Sequence, residues 1–211
     1  MNLLNRRRAL INLKRNLLPD IYQKVEYLES TGTQFIDTSL IPFANLSVET
    51  EMKYIKGDSL YAFSGAYESG KTFQLGLAYV EDNTVRVSMN GGFPEAVGKT
   101  DLDINSFCVI KLSNGAQYVN GELIGNQVYG NLTNLNFLLF ARTTTESDAI
   151  TINKWNGQIK SFKAWDNDVL IRNLVPCYRK ADKVAGMYDM VNGVFYTNGG
   201  AGQFIIGPKA F

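Results

Sequence analysis

Histidine is absent from this chain of 211 residues. That excludes a Ser-His-Asp triad, a Cys-His pair, a histidine-ligated zinc and a histidine pH switch within one chain. Enzyme readings shrink mainly to carboxylate chemistry. Cysteine is nearly absent as well: Cys108 and Cys177 are too few and too far apart for a disulfide framework or a metal cluster. Each lies in an apolar run ("SFCVIKL" and "NLVPCYR"), which predicts buried free thiols. No apolar run approaches the roughly 20 residues that span a membrane. The first residues are basic but repeatedly interrupted by Arg and Lys, so they lack the apolar core of a signal peptide. The expectation is a chain that begins at or near Met1 and is made in the cytoplasm without export. Net charge is small too, with 21 basic against 20 acidic residues, and exerts no overall pull on nucleic acid or anionic membrane.

What is present points to strands and turns. Glycine at 19, aromatics at 12% and charged residues at only 19% suit a single domain of packed strands with an appendage. The appendage is "MNLLNRRRALINLKRNLLP". Leu3, Leu10 and Leu17 recur every seven residues, as do Leu4, Ile11 and Leu18, which predicts an amphipathic helix with an apolar stripe. Arg6, Arg7, Arg8, Lys14 and Arg15 populate its other faces, and Pro19 ends it. A helix this short is marginal alone and needs a surface to pack on. Its own domain, sister chains, a larger assembly and a membrane surface all qualify. Residues 1–20 are therefore read as an anchoring and assembly segment carried by Leu3, Arg6, Arg7, Arg8, Leu10, Ile11 and Leu17, and 21–211 as the domain.

From Tyr22 the period changes to two. "LSVETEMKYI" places Leu46, Val48, Thr50, Met52 and Tyr54 on one face. "TFQLGLAYV" does so with Phe73, Leu75, Leu77 and Tyr79, and "TVRVSM" with Val85, Val87 and Met89. Such alternation predicts strands with one face in the core. "LNFLLFA" is apolar save for Asn136 and predicts a strand covered on both faces. Asn-Gly pairs at 90, 114, 120, 156 and 192 offer the left-handed backbone of tight hairpins, and "QYVNGELIG" is a compact example. The expected fold is all-β, a two-sheet antiparallel sandwich. "TNGGAGQF" lacks the Gly-Lys-Ser/Thr ending of a phosphate loop. Its glycines are expected to turn the chain into a last strand, "QFIIG", that closes the sheet against the first.

Two blocks carry a family resemblance. "YQKVEYLESTGTQFIDTSL" and "IKSFKAWDNDVLIRNLVPCYRKADKVAGMYDMVNGVFYTNGGAGQF" resemble the opening and closing motifs of concanavalin A-like lectin/glucanase domains, close to laminin-G-like jelly rolls, in gut bacteria and their phages. The resemblance covers about residues 22 to 207. It implies a jelly roll whose first and last strands pair, and a virion decoration, fibre or adsorption component as the common context. Partners implied are other virion proteins through the N-terminal segment, sister chains in a homo-oligomer (a trimer favoured) and host surface glycans. Alternatives are a bacterial carbohydrate-binding or adhesin module and a glycoside hydrolase.

Glycoside hydrolysis needs two carboxylates at a set separation. Glu49 and Glu51 share a strand face, but the one opposite Val48 and Met52, and Asp101 and Asp103 are expected in a loop before "FCVIKL". No catalytic residue is assigned. Asp166, Asn167 and Asp168 make calcium a candidate, though Asx residues suit a hairpin turn without metal; no cofactor or metal site is assigned. Sugar binding needs an exposed ring with polar neighbours. Trp155 and Trp165 fall in strands of the closing block, where burial is the default. Tyr67 in "SGAYESGK", with Arg142 and Thr144 in "ARTTTESDA", sits on two segments expected to be exposed polar loops, and these three are the candidate glycan-binding residues. The domain has no basic stripe with interleaved aromatics, so no specific nucleic-acid binding is expected.

Overall fold

The computed structural model describes residues 17–55, 61–68, 71–79, 84–89, 101–126, 132–146 and 149–210. The expected helix and its Leu3, Arg6, Arg7, Arg8, Leu10 and Ile11 lie outside the described residues, as does the Asn90-Gly91 pair. Among the described residues no helix is long and apolar enough to cross a membrane.

In chain order the strands are β1 (Tyr22–Lys24), β2 (Leu28–Thr31), β3 (Ile36–Asp37), β4 (Leu46–Tyr54), β5 (Tyr61–Glu68) and β6 (Lys71–Tyr79). There follow β7 (Thr84–Met89), β8 (Asp101–Asp103), β9 (Cys108–Ser113), β10 (Ala116–Val119), β11 (Glu122–Asn126) and β12 (Leu138–Leu139). The rest are β13 (Ala141–Glu146), β14 (Ala149–Lys154), β15 (Asn156–Asp166), β16 (Val169–Arg179), β17 (Ala185–Asp189), β18 (Val194–Thr197) and β19 (Ile205–Ile206). They form two sheets. The first runs β11-β10-β9-β4-β15-β16-β17-β18, with β1 on β16 and β2 joining β15 to β19. The second runs β14-β13-β5-β6-β7-β8, with β3 and β12 attached at β5.

The period-two reading holds at β4, where Leu46, Val48, Thr50, Met52 and Tyr54 are all buried. Ile110 and Leu112 of β9 and Ile159, Phe162 and Ala164 of β15 join them from the same sheet. Ala62, Phe73, Leu75 and Leu77 come from the second. Phe137 crosses the interface, stacked on Phe162 at 5.2 Å and edge-on to Phe73 at 6.1 Å. Each such ring or branched chain removed from water contributes about 1.5–3 kcal/mol. Cys108 and Cys177 are buried free thiols, and desolvation pushes both up to about 12.

Among the described residues three hairpins turn on left-handed pairs: Asn114-Gly115 (φ 48° and 81°), Asn120-Gly121 (50° and 86°) and Asn167-Asp168 (45° and 69°). Gly193, at φ 72°, closes the loop from β17 to β18 by donating its N–H to the Asp189 carbonyl at 2.8 Å. Asn156-Gly157 breaks the expectation, because both residues lie inside β15, paired with β2 on one side and β4 on the other. The chain changes sheets one residue earlier, at Trp155, which is buried and packs on Phe140 at 5.7 Å. "LNFLLFA" is buried from Phe137 to Ala141 but is not one strand: Phe140 takes φ 62°, bending the chain between β12 and β13 while its ring packs on Trp155 and Phe204. Pairing is not wholly antiparallel, since β13 runs parallel to β5. Asp101 and Asp103 form the short strand β8 rather than a loop, and Asp103 ends it by accepting the Asn105 backbone N–H at 2.9 Å.

The glycine-rich loop is a clasp. β19 pairs with β2, and Val25 bridges Lys209. Before β19, Gly199 donates its N–H to the Phe35 carbonyl (2.9 Å) and Ala201 donates to that of Thr33 (3.1 Å). The Asn198 side chain organises the loop. Its Oδ1 accepts from Phe35 N (3.2 Å) and Gly200 N (2.8 Å), and its Nδ2 donates to the Gly202 carbonyl (3.0 Å). Asn198→Ala is expected to cost about 1–3 kcal/mol through these orphaned groups, read as a lower urea midpoint. An unchanged midpoint would mean that the backbone bonds alone hold the clasp.

Candidate functional site

The outer face of the second sheet assembles a polar patch from four strands. β5 and β13 lie side by side, with Gly65 opposite Arg142 and Tyr67 opposite Thr144. β6 brings Gln74 beside Gly65 and Thr72 beside Tyr67, while β14 brings Asn153 beside Arg142 and Thr151 beside Thr144. The Arg142 guanidinium lies over the Tyr67 ring at 5.0 Å, within cation-π range, and its Nη1 donates to Gln74 Oε1 at 3.2 Å. Asn153 Nδ2 donates to Thr144 Oγ1 at 3.1 Å. Gly65, at φ 144°, makes the close approach possible, because a Cβ there would meet the Phe73 carbonyl oxygen at 2.4 Å.

All three residues chosen from the sequence thus converge. They do so on strands rather than on exposed loops, because "SGAYESGK" and "ARTTTESDA" each supply hairpin strands. Tyr67 and Arg142 remain half-buried, while Thr144 and Gln74 are buried and serve as supports. Gln74, Thr151 and Asn153 were not singled out from the sequence. The only signal for Gln74 was its position out of phase with Phe73 and Leu75. At the end of β5, Glu68 accepts from Lys71 Nζ at 3.1 Å and from Thr133 Oγ1 at 3.2 Å. The hydrogen bond from Lys71, helped by that from Thr133, lowers the Glu68 carboxyl below its ordinary range.

Of the carboxylates considered for hydrolysis, Glu49 and Glu51 lie on the other sheet, while Asp101 and Asp103 lie in β8 at the edge of this one. Glu49 pairs with Lys163 at 3.3 Å and Glu51 with Lys160 at 3.2 Å, both on the outer face of the first sheet. Asp103 is held low by the Asn105 backbone N–H and by further bonds from Ser106 and the Asn105 side chain, as befits a turn residue. Among the described residues no group of three or more His, Cys, Asp or Glu side chains gathers to hold a metal ion. Asp166, Asn167 and Asp168 form the hairpin between β15 and β16, and Asn167 Nδ2 donates to Asp166 Oδ1 at 2.8 Å. Trp155 is buried and Trp165 half-buried. Leu17, the one assembly candidate in the described region, is 66% exposed.

No protein-family model and no curated protein matches this chain. Among solved structures, the native heptameric SAP-like pentraxin from Limulus polyphemus superposes with a TM-score of 0.51 and 12% identity. The match covers 90% of this chain and 97% of that one. At that identity the likeness concerns the fold. The two sheets form a jelly-roll sandwich.

Proposed function

We propose that the chain is a non-enzymatic phage virion protein, a fibre, decoration or adsorption component, whose lectin-like domain binds host surface glycans. Residues 1–20 fasten it to other virion proteins and to sister chains, with a trimer as the favoured assembly. The observation that carries the reading is the convergence of Tyr67 and Arg142, distant in sequence, on one partly open face. That face offers an aromatic ring, a cation and amide and hydroxyl groups, the set a sugar ring and its hydroxyls require. Gln74 fixes Arg142 before any ligand arrives, and such preorganisation lowers the cost of binding. The virion context draws on the opening and closing motifs and on the basic amphipathic start.

Two measurements test it. Tyr67→Ala and Arg142→Ala are each expected to weaken binding to host cell-surface polysaccharide by about tenfold or more, with unchanged melting. Sedimentation of the full chain is expected to give a trimer that dissociates when the chain starts at Tyr22. Binding indifferent to both substitutions, or absence of the chain's peptides from purified particles, would overturn the reading.

A further inference from the structure

A second groove lies on the outer face of the first sheet. The register aligns Tyr118, Lys111, Glu49 and Lys163 in one row across β10, β9, β4 and β15. The next row holds Ser113, Ser47 and Trp165, and the two serine hydroxyls are hydrogen-bonded at 2.9 Å. Over these rows opens a groove of about 420 Å³ lined by Glu49, Val109, Lys111, Ser113, Tyr118 and Gly121. A volume of that order suits a small ligand. Leu123, opposite Tyr118 on β11 and 55% exposed, extends the apolar rim.

The distribution of charge sets the ligand class. Glu49 faces Lys111 directly across the strands, yet its Oε1 is engaged by Lys163 on the other side. Lys111 leans instead over the Trp165 ring, its Nζ 5.0 Å from the ring centre. It forms no ion pair among the described residues. The groove therefore offers one ammonium without a carboxylate partner, one carboxylate already neutralised, a serine hydroxyl and a phenol ring. A phosphate dianion is poorly matched, because among the described residues no arginine fork lines the groove and Glu49 stands beside its one lining cation. A lipid is poorly matched because the floor is charged. A sugar carrying a single carboxylate matches each group.

We propose that this groove is a binding site for acidic glycans of the uronic-acid class. The sugar carboxylate pairs with Lys111, its C–H face lies against Tyr118, and its hydroxyls bond Glu49 and Ser113. The site is independent of the Tyr67–Arg142 face, on the other sheet.

Calorimetric titration of the full chain with methyl galacturonoside and with its carboxyl-reduced counterpart, methyl galactoside, tests the assignment. The uronate is expected to bind, the reduced sugar to bind at least about tenfold more weakly, and Lys111→Met to lose about the same factor for the uronate. Lys111→Arg is expected to retain binding, Tyr118→Ala to weaken both sugars, and all variants to melt like the parent. Equal affinity for the two sugars, wild-type uronate binding by Lys111→Met, or no binding at millimolar sugar would overturn it. Uronate binding abolished by Arg142→Ala but not by Lys111→Met would overturn this site while supporting the one on the second sheet.

Discussion

Gly157→Ala is expected to lower stability by about 3 kcal/mol or more, seen as a fall of roughly 6–12 °C in the melting midpoint. Gly157 lies in β15 with β2 on one side and β4 on the other, opposite Ser30 and Tyr54. A Cβ there would stand 2.0 Å from Trp155 Cζ3 and 2.4 Å from the Lys53 carbonyl oxygen. The carbonyl belongs to the backbone of β4, so it can retreat only by widening the strand spacing. The indole can retreat only by giving up its place against Phe140, where it seals the crossover between sheets. Either movement exceeds ordinary overpacking. Gly121 supplies the control, since its φ is 86° but nothing lies within 4 Å of an added Cβ. Gly121→Ala is accordingly expected to cost about 1 kcal/mol, the strain of the left-handed backbone alone. Equal midpoints for the two variants would show that close approach at Gly157 is not what excludes a side chain.

The second large effect is expected at Asp189, whose side chain is fully buried at the end of β17. Its Oδ1 accepts the backbone N–H groups of Asn173 (3.1 Å) and Val191 (2.9 Å). Its Oδ2 accepts from Asn192 Nδ2 at 2.7 Å and faces Arg172 Nε at 3.6 Å. One carboxylate thus ties β16 to the loop leading into β18. Asp189→Ala leaves two backbone donors and a partly buried guanidinium without their acceptor, a loss of about 3–5 kcal/mol. Asp189→Asn keeps an acceptor for the two backbone groups but surrenders the charge and the second acceptor oxygen, so it is expected to fall between. Urea unfolding of the three proteins checks the order, and an alanine variant as stable as the parent would sink the account.

Much of the fold was legible because strand alternation and left-handed turns are local properties. β4 could be read residue by residue, and the Asn-Gly pairs at 114 and 120 behave as their chemistry demands. The same dipeptide at 156 does not, for a reason that local sequence cannot carry: its environment is set by Trp155, Lys53 and Ser30, which meet only after both sheets form. The same limit governs the sites. Tyr67, Arg142 and Thr144 were chosen for their chemistry, but their meeting depends on a parallel β5–β13 register that no local pattern encodes. Glu49 was read correctly as lying outside the core. Its neighbours Lys111 and Tyr118 went unnoticed because cross-strand partners are fixed by the order of strands in the sheet.

The closure of β2 against β19 has a consequence for architecture. Glu26 N donates to the Pro208 carbonyl at 2.9 Å and Ala210 N to that of Lys24 at 3.1 Å, so the chain enters and leaves the domain through adjoining backbone. A body with neighbouring entry and exit is topologically a bead on a single thread. It can be spliced into a surface loop of a carrier polypeptide without prising that loop apart, and the carrier's own fold need not register its presence.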